Sequence, residues 1–349
     1  MQWALSRDRV SARRRVGDGE GTLALASDNS STAQTREQYS HDTGRPHVVQ
    51  GTVGRAQRRV EAAHRATDHR EPLPTRHEIR VADARDLNWI ADESVHLVCT
   101  SPPYGMLKEY PGGQAQLGNI PDYDAFLDEL DKVWAECRRV LVPGGRVACV
   151  VGDICLSRRS AGRHHVLPLS ADIQVRARRI GFDCLTPILW LKVANIAMEA
   201  SSSSRYLGKP NLPNGIVKND IEHILFLRKP GGYRSPTPEQ EDRSFIPTEE
   251  YARLFRPIWS DVSGQLRRDH PAPYPPAVPQ RLIQMFSFAG DTVLDPFCGT
   301  GTTALAAMQL GRNSISLDVE ASYVDLTRRR LEANGLTGEI HTQVHRADS

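Results

Sequence analysis

Long apolar runs are missing from this chain. No stretch approaches the roughly eighteen uninterrupted apolar residues that a membrane-spanning helix requires. The first residues, MQWALSRDRVSARRR, also lack the apolar segment of a secretory signal, so a cytoplasmic location is expected. Cysteine is scarce: Cys99, Cys137, Cys149, Cys155, Cys184 and Cys298 form no C-x-x-C pair. That spacing argues against a zinc site or a disulfide framework, and for small buried side chains in a reducing compartment. Neither sign of charge is in excess, since 44 Lys and Arg against 42 Asp and Glu leave a formal net charge of +2. Overall charge therefore gives no argument for a nucleic-acid partner, and phosphate contacts would have to come from a local basic surface.

What is present suits a soluble globular protein. Its 349 residues, 39% hydrophobic and 25% charged, suffice for one large or two ordinary domains. Residues 1–74 differ, being rich in Arg, Ser, Thr, Gly, Asp and His with no sustained periodicity. Such a segment cannot bury enough apolar surface to offset its ordering entropy, so a mostly disordered, Arg-rich extension is expected. Acidic residues among its arginines favour a solvated tail, or a start codon placed too far upstream, over a grip on DNA.

From His77 the patterning changes. HEIRVADARDL reads as a strand ending at Asp83, and residues 94–99, SVHLVC, as a second. DYDAFLDELDKVWAECRRVL places Phe126, Leu127, Leu130, Val133, Trp134, Cys137, Val140 and Leu141 at helical spacing, with a stop predicted at Pro143-Gly144-Gly145. RVACVVGD then resumes as a buried strand, which completes a β-α-β unit with a right-handed crossover. SADIQVRARRIGF predicts a helix closed by Gly181, followed by the strand CLTPILWLKV. IEHILFLRK, residues 221–229, is expected as its hairpin partner at the sheet edge. Residues 195–219 and 230–268, with their Ser, Pro, Gly and Asn, read as recognition insertions. DTVLDPFCGTGTTALAAMQLG then predicts strand, glycine loop and helix, NSISLDVE a strand, and ASYVDLTRRRLEANG a helix ending at Gly335. No internal repeat is visible.

The glycine loop is the first chemical signal. Asp295 stands at a strand end, and the chain turns through Gly299 and Gly301 into a helix whose N-terminal N–H groups are open. The next strand ends in Asp318, 23 residues further on, a position suited to hydrogen bonding ribose hydroxyls. A triphosphate loop needs Lys after its second glycine, and Thr302 stands there. The dinucleotide fingerprint is incomplete because Ala304 takes the third glycine position. A carboxylate at residue 295 repels a pyrophosphate but attracts the ammonium and sulfonium of S-adenosyl-L-methionine, which is therefore the expected cofactor.

DPFCGTGTT resembles the cofactor loop, and TSPPY the catalytic motif, of the amino-group DNA methyltransferases of bacterial and phage modification systems. HPAPYPPAVPQRLI, residues 270–283, is similar to the methionine-side segment of that family. The resemblance covers about residues 76–335, and the order, catalytic half before cofactor half, is that of the permuted β group. It implies an α/β fold, a circularly permuted seven-stranded Rossmann-like sheet. The extension 1–74 would precede a catalytic half (75–194), an edge strand with target-recognition insertions (195–268) and a cofactor half (269–349). It also implies cofactor contacts from Asp83, Pro271, Tyr274, Asp295, Pro296, Phe297, Gly299, Gly301, Thr302 and Asp318. The catalytic turn would be Ser101, Pro102, Pro103 and Tyr104.

That turn fits the chemistry of an exocyclic amine, whose lone pair is delocalised into its ring. The Ser101 side chain and the Pro102 carbonyl would accept the amine's protons, and Tyr104 would stack on a base extruded from duplex DNA. Within the family SPPY is commoner among cytosine-N4 enzymes and DPPY among adenine-N6 enzymes, so cytosine N4 is favoured, with adenine N6 as the alternative. Methylation of an RNA amine or a protein glutamine, or a non-catalytic DNA-binding relic, are further readings. Carbon-5 methylation needs a cysteine nucleophile, and Cys298 sits inside the cofactor loop.

Trp190 and Lys192 lie where the family has a motif near the flipped base, although Trp190 equally suits a core. Residues 105–119 read as a loop that closes over the base. Arg158, Arg159, Arg163, His164 and His165 suit either phosphate contact or a solvated charge run, and Arg328, Arg329 and Arg330 read as a helix face. The expected partners are double-stranded DNA and a cognate restriction endonuclease, with no membrane and no metal. A monomer or homodimer near the nucleoid of a bacterial or phage-infected cell is expected.

Overall fold

The computed structural model describes residues 73–105, 116–192, 213, 217, 219–264, 275–334 and 338–344. The expected disordered extension up to residue 72, the closing loop at 106–115, most of the insertion 195–219, and Pro271 and Tyr274 lie outside them. In chain order the strands are β1 (Thr75–Val81), β2 (Val95–Thr100), β3 (Leu141–Val151), β4 (Ile154–Leu156), β5 (His165–Leu167), β6 (Asp183–Leu191), β7 (Ile221–Arg228), β8 (Ile258–Trp259), β9 (Thr292–Asp295), β10 (Asn313–Asp318) and β11 (Gly338–Val344). The helices are α1 (Tyr123–Val140), α2 (Arg158–Ala161), α3 (Leu169–Ile180), α4 (Pro238–Arg243), α5 (Thr248–Leu254), α6 (Ala277–Phe286), α7 (Thr302–Gln309) and α8 (Ala321–Ala333).

β4 and β5 pair as a separate antiparallel ribbon. The other nine strands form one sheet in the order β11-β1-β10-β9-β2-β3-β7-β6-β8. Only β7 runs against its neighbours, β3 and β6. The seven central strands are the expected sheet, and β11 and β8 add one strand at each edge. One apolar cluster surrounds Trp134 on α1, and a second surrounds Trp190 and Trp259. β2 and β3 are buried along most of their length, which is why both read as apolar runs rather than alternating strands.

α1 starts where the Asp122 side chain accepts the Ala125 N–H at 2.8 Å. The predicted stop at Pro143 falls elsewhere: the helix ends at Val140 and β3 begins at Leu141, with Pro-Gly-Gly inside the strand. There β2 pairs Val95 with Leu141 but Leu97 with Arg146, so the extra residues bulge outward. Gly144 takes φ +77°, and a Cβ on it would lie 2.8 Å from the Gly232 carbonyl. Gly181 closes α3 in the left-handed conformation, as its sequence position predicts.

β7 is not at the edge. Ile224 to Leu227 are four consecutive buried residues: β3 and β6 pair with the two edges of β7, while Leu225 and Leu227 pack into the Trp134 cluster on one face and Ile224 and Phe226 into the Trp190 cluster on the other. Residues 230–264 also differ from the expected open insertion, since they hold α4, α5 and β8. Arg234 pairs with Asp291, Gln240 Nε2 donates to the Ala289 carbonyl at 3.2 Å, and Ser244 Oγ accepts the Ala289 N–H at 2.8 Å. These contacts hold residues 230–255 at the strand starts, opposite the cofactor loop. At the other end of β6 and β7, Lys192 N–H bonds to the Asp220 carbonyl at 3.0 Å. Lys192 and Asp220, which flank residues 193–219, therefore stand at the carboxyl end of the sheet.

Candidate active site

β2 and β9 are parallel neighbours, Leu97 opposite Val293 and Val98 opposite Leu294, so the turns that follow them emerge side by side. Thr100 Oγ1 donates to Asp295 Oδ1 at 2.7 Å, tying the residue before Ser101 to the head of the glycine loop. Asp295 also accepts the Phe297 N–H at 3.1 Å and a hydrogen bond from Thr303. Burial pushes its carboxyl up to about 6, against the opposing pull of these donors.

Beyond Ser101, Pro102 and Pro103 are buried and Tyr104 is nearly so. The prolines fix the backbone that carries the Pro102 carbonyl. The Tyr104 hydroxyl accepts the Gly152 N–H at 3.0 Å and donates to Glu222 Oε1 at 3.4 Å. Glu222 in turn is paired with Lys192. A polar chain from the ends of β3, β6 and β7 thus orients the Tyr104 ring. Trp190 is core: it is fully buried, and its indole donates to the Val262 carbonyl at 2.8 Å.

The glycine loop has its own clamp. Gly301 takes φ +75°, and a Cβ there would stand 2.5 Å from Thr327 Cγ2 on α8. Thr327 Oγ1 donates to the Gly299 carbonyl at 3.0 Å. Arg330 donates to the Thr300 carbonyl and to Thr302 Oγ1, each at 3.1 Å, so it holds the glycine loop and is not simply part of a helix face. Arg328 does serve the surface, paired with Glu332 one turn along. At the end of β10, Asp318 accepts the Gly299 and Glu320 N–H groups at 3.0 Å each, and burial pushes it up to about 6.

Asp295, buried, and Asp318, part-buried, are thus two carboxylates without a cationic partner among the described residues. Buried charges are ordinarily paired, so this pair calls for a ligand with cationic and hydroxyl groups, which S-adenosyl-L-methionine carries. Pro296 is buried, and Phe297 packs partly buried against the Trp134 cluster. Asp83 lies just past β1, which ends two residues earlier than predicted, beside Asp318: Ala82 N–H bonds to the Asp318 carbonyl at 3.1 Å. Its carboxylate accepts the Arg85 N–H and grips the Arg85 guanidinium, itself bound to Glu129 at 2.6 Å. Cys298 is buried, and burial raises its thiol well above the usual range, leaving a protonated packing group.

Sequence reasoning singled out Asp295, Asp318, Gly299, Gly301 and the catalytic turn. Thr100, Gly152, Glu222, Thr327 and Arg330 escaped it, because each acts through a partner that only the folded chain brings near. A family model for DNA methylases acting on N6 or N4 amino groups matches residues 95–329.

The chain belongs to this DNA methylase family.

Its members use S-adenosyl-L-methionine, and this chain is accordingly an S-adenosyl-L-methionine-dependent DNA amino-methyltransferase acting on cytosine N4 or adenine N6. It is 37% identical over 291 residues to the type II methyltransferase M.MjaI of Methanocaldococcus jannaschii, covering 74% of this chain and 92% of that one. It is 32% identical to the type II methyltransferase M.MthZI of Methanothermobacter thermautotrophicus, covering 77% and 80%. The fold matches a DNA modification methylase of Thermus thermophilus, solved with S-adenosyl-L-methionine, at 47% identity and TM-score 0.62, covering 76% and 99%. The cytosine-N4-specific PvuII methyltransferase shares the fold at 19% identity and TM-score 0.55, covering 75% and 89%. Among the described residues no His, Cys, Asp and Glu cluster suited to a metal is found, and no helix is long and apolar enough to cross a membrane.

Proposed function

We propose that this methylase transfers a methyl group to the exocyclic N4 of cytosine at a specific site in duplex DNA. The observation that carries the reading is the junction of the Ser101 turn with the Asp295 loop through the Thr100 hydrogen bond. S-adenosyl-L-methionine, when bound, supplies an electrophilic methyl carbon on a positively charged sulfur. Asp295 and Asp318 provide the negative charge and the ribose acceptors, and Asp83, Pro296, Phe297, Gly299, Gly301 and Thr302 form the remaining cradle.

Ser101 Oγ and the Pro102 carbonyl accept hydrogen bonds from the two amine N–H groups, which localises the nitrogen lone pair before attack. Pro103 stiffens the turn. Tyr104, held at its hydroxyl, offers its ring to a base swung out of the helix. Ser rather than Asp at residue 101 supports cytosine, because SPPY is the commoner form among the cytosine-N4 enzymes of the family, and adenine N6 is the second reading. The insertion 195–219, flanked by Lys192 and Asp220 at the sheet end that carries Tyr104, is the recognition segment; residues 230–255, at the far end, are not. The protein works in the cytoplasm on chromosomal DNA, beside a nuclease that cuts the same site. Single-molecule sequencing of DNA from cells expressing the chain tests this, with N4-methylcytosine at one recurring motif expected and unmodified DNA the contrary result.

A further inference from the structure

We infer that the β4–α2–β5 ribbon grips the DNA phosphate backbone at the rim of the active site. The ribbon grows from the strand end that holds the catalytic ring: Gly152 bonds the Tyr104 hydroxyl, and β4 starts at Ile154. Its base is fixed at both ends. Asp153 Oδ1 accepts the Ser170 N–H at 2.9 Å, and Ile154 faces Leu167 in the strand pair. Ile154 and Leu156 are buried in the Trp134 cluster, so the ribbon is anchored by its own apolar side chains.

The tip is cationic. Residues 154–167 contain Arg158, Arg159, Arg163, His164 and His165 and no acidic residue. Arg158, Arg159, Arg163 and His164 are exposed, and the three arginines make no side-chain hydrogen bond or ion pair among the described residues. Several arginines elsewhere are matched with acids: Arg85 with Asp83 and Glu129, Arg139 with Asp92 and Glu136, Arg176 with Asp128 and Asp131, Arg281 with Asp261. Three unmatched guanidinium groups on one stiff projection beside Tyr104 form the local basic surface that a near-neutral net charge requires for phosphate binding. Contact here fixes the duplex relative to the catalytic turn and reads no sequence.

This inference rests on the duplex-DNA reading, so the test measures both. Binding of the full chain to a duplex is titrated against salt, with methyl transfer to the same duplex followed in parallel. Each phosphate contact contributes about 0.9 to the slope of log K on log [salt]. The Arg158→Gln/Arg159→Gln/Arg163→Gln variant is expected to lower that slope by about 2–3 and to keep its S-adenosyl-L-methionine affinity. The matching Arg→Lys variant should retain the slope, as should Arg178→Gln/Arg179→Gln, whose exposed residues sit at the far end of α3. A triple Gln variant with the wild-type slope, beside a wild type that methylates DNA, overturns the inference. A wild type that transfers no methyl to DNA overturns both readings.

Discussion

Thr100 and Asp295, 195 positions apart in sequence, share a buried hydrogen bond of 2.7 Å between hydroxyl and carboxylate. The bond makes the Ser-Pro-Pro-Tyr turn and the glycine loop one mechanical unit, because each residue adjoins a motif of a different half of the chain. Thr100→Val keeps the side-chain volume and removes the donor. It is expected to cost about 1.5–3 kcal/mol of stability, the range for a hydrogen bond to a charged group. Denaturant unfolding measures this, and an unchanged midpoint would contradict the assigned coupling.

Tyr104→Phe separates the ring from its tether. The Gly152 N–H loses its acceptor inside the protein, a cost of about 1–3 kcal/mol. The stacking face survives, so Tyr104→Phe should retain more turnover than Tyr104→Ala. Steady-state kinetics on duplex DNA, with thermal unfolding of both variants, checks the ordering.

Gly301→Ala places a methyl 2.5 Å from Thr327 Cγ2 at a φ of +75°. Both the contact and the left-handed backbone oppose it, at about 1–3 kcal/mol. The loop can relieve the clash only by moving off α8, which should weaken S-adenosyl-L-methionine binding at least about tenfold. Calorimetric titration reads the loss, and wild-type affinity would refute the close packing.

The pH dependence follows from two carboxyls. Asp295 and Asp318 are raised from 3.8 to about 6 by burial, so the folded protein binds their protons more tightly than the unfolded chain does. Their contribution to stability is fully present below about pH 3.8 and is lost as pH rises through about 6. A positively charged cofactor reverses this preference, since it favours the ionised carboxylates. The rise in melting temperature on adding S-adenosyl-L-methionine should therefore grow between pH 5 and pH 7. A rise that is flat, or largest at pH 5, would contradict the placement of these carboxylates against the cofactor.

Much of the candidate site is legible in the sequence because its parts are local. An acid at a strand end, glycines in the next turn, and Ser-Pro-Pro-Tyr after a buried strand each lie within a few residues. The supporting groups are not local. Arg330 reads as one of three consecutive arginines, and only the packing of α8 on the glycine loop shows that it reaches Thr300 while Arg328 faces Glu332. Glu222 reads as the polar start of a strand until β7 brings it to Tyr104. The fold shows the same division. The Gly181 cap follows from backbone rules, whereas the interior position of β7 depends on which long-range partner covers Ile224 to Leu227. Residues 230–255 looked like an open insertion because short helices with few buried positions leave little periodicity.

The measurement closest to the central claim is nucleoside mass spectrometry of duplex DNA incubated with S-adenosyl-L-methionine and either wild-type protein or Ser101→Ala. Wild type should produce N4-methyldeoxycytidine. Ser101→Ala should bind the cofactor normally and produce about 10²–10³-fold less, the cost of losing one polar contact made to the reacting group. Equal methylation by the two proteins would contradict the role given to the Ser101 turn.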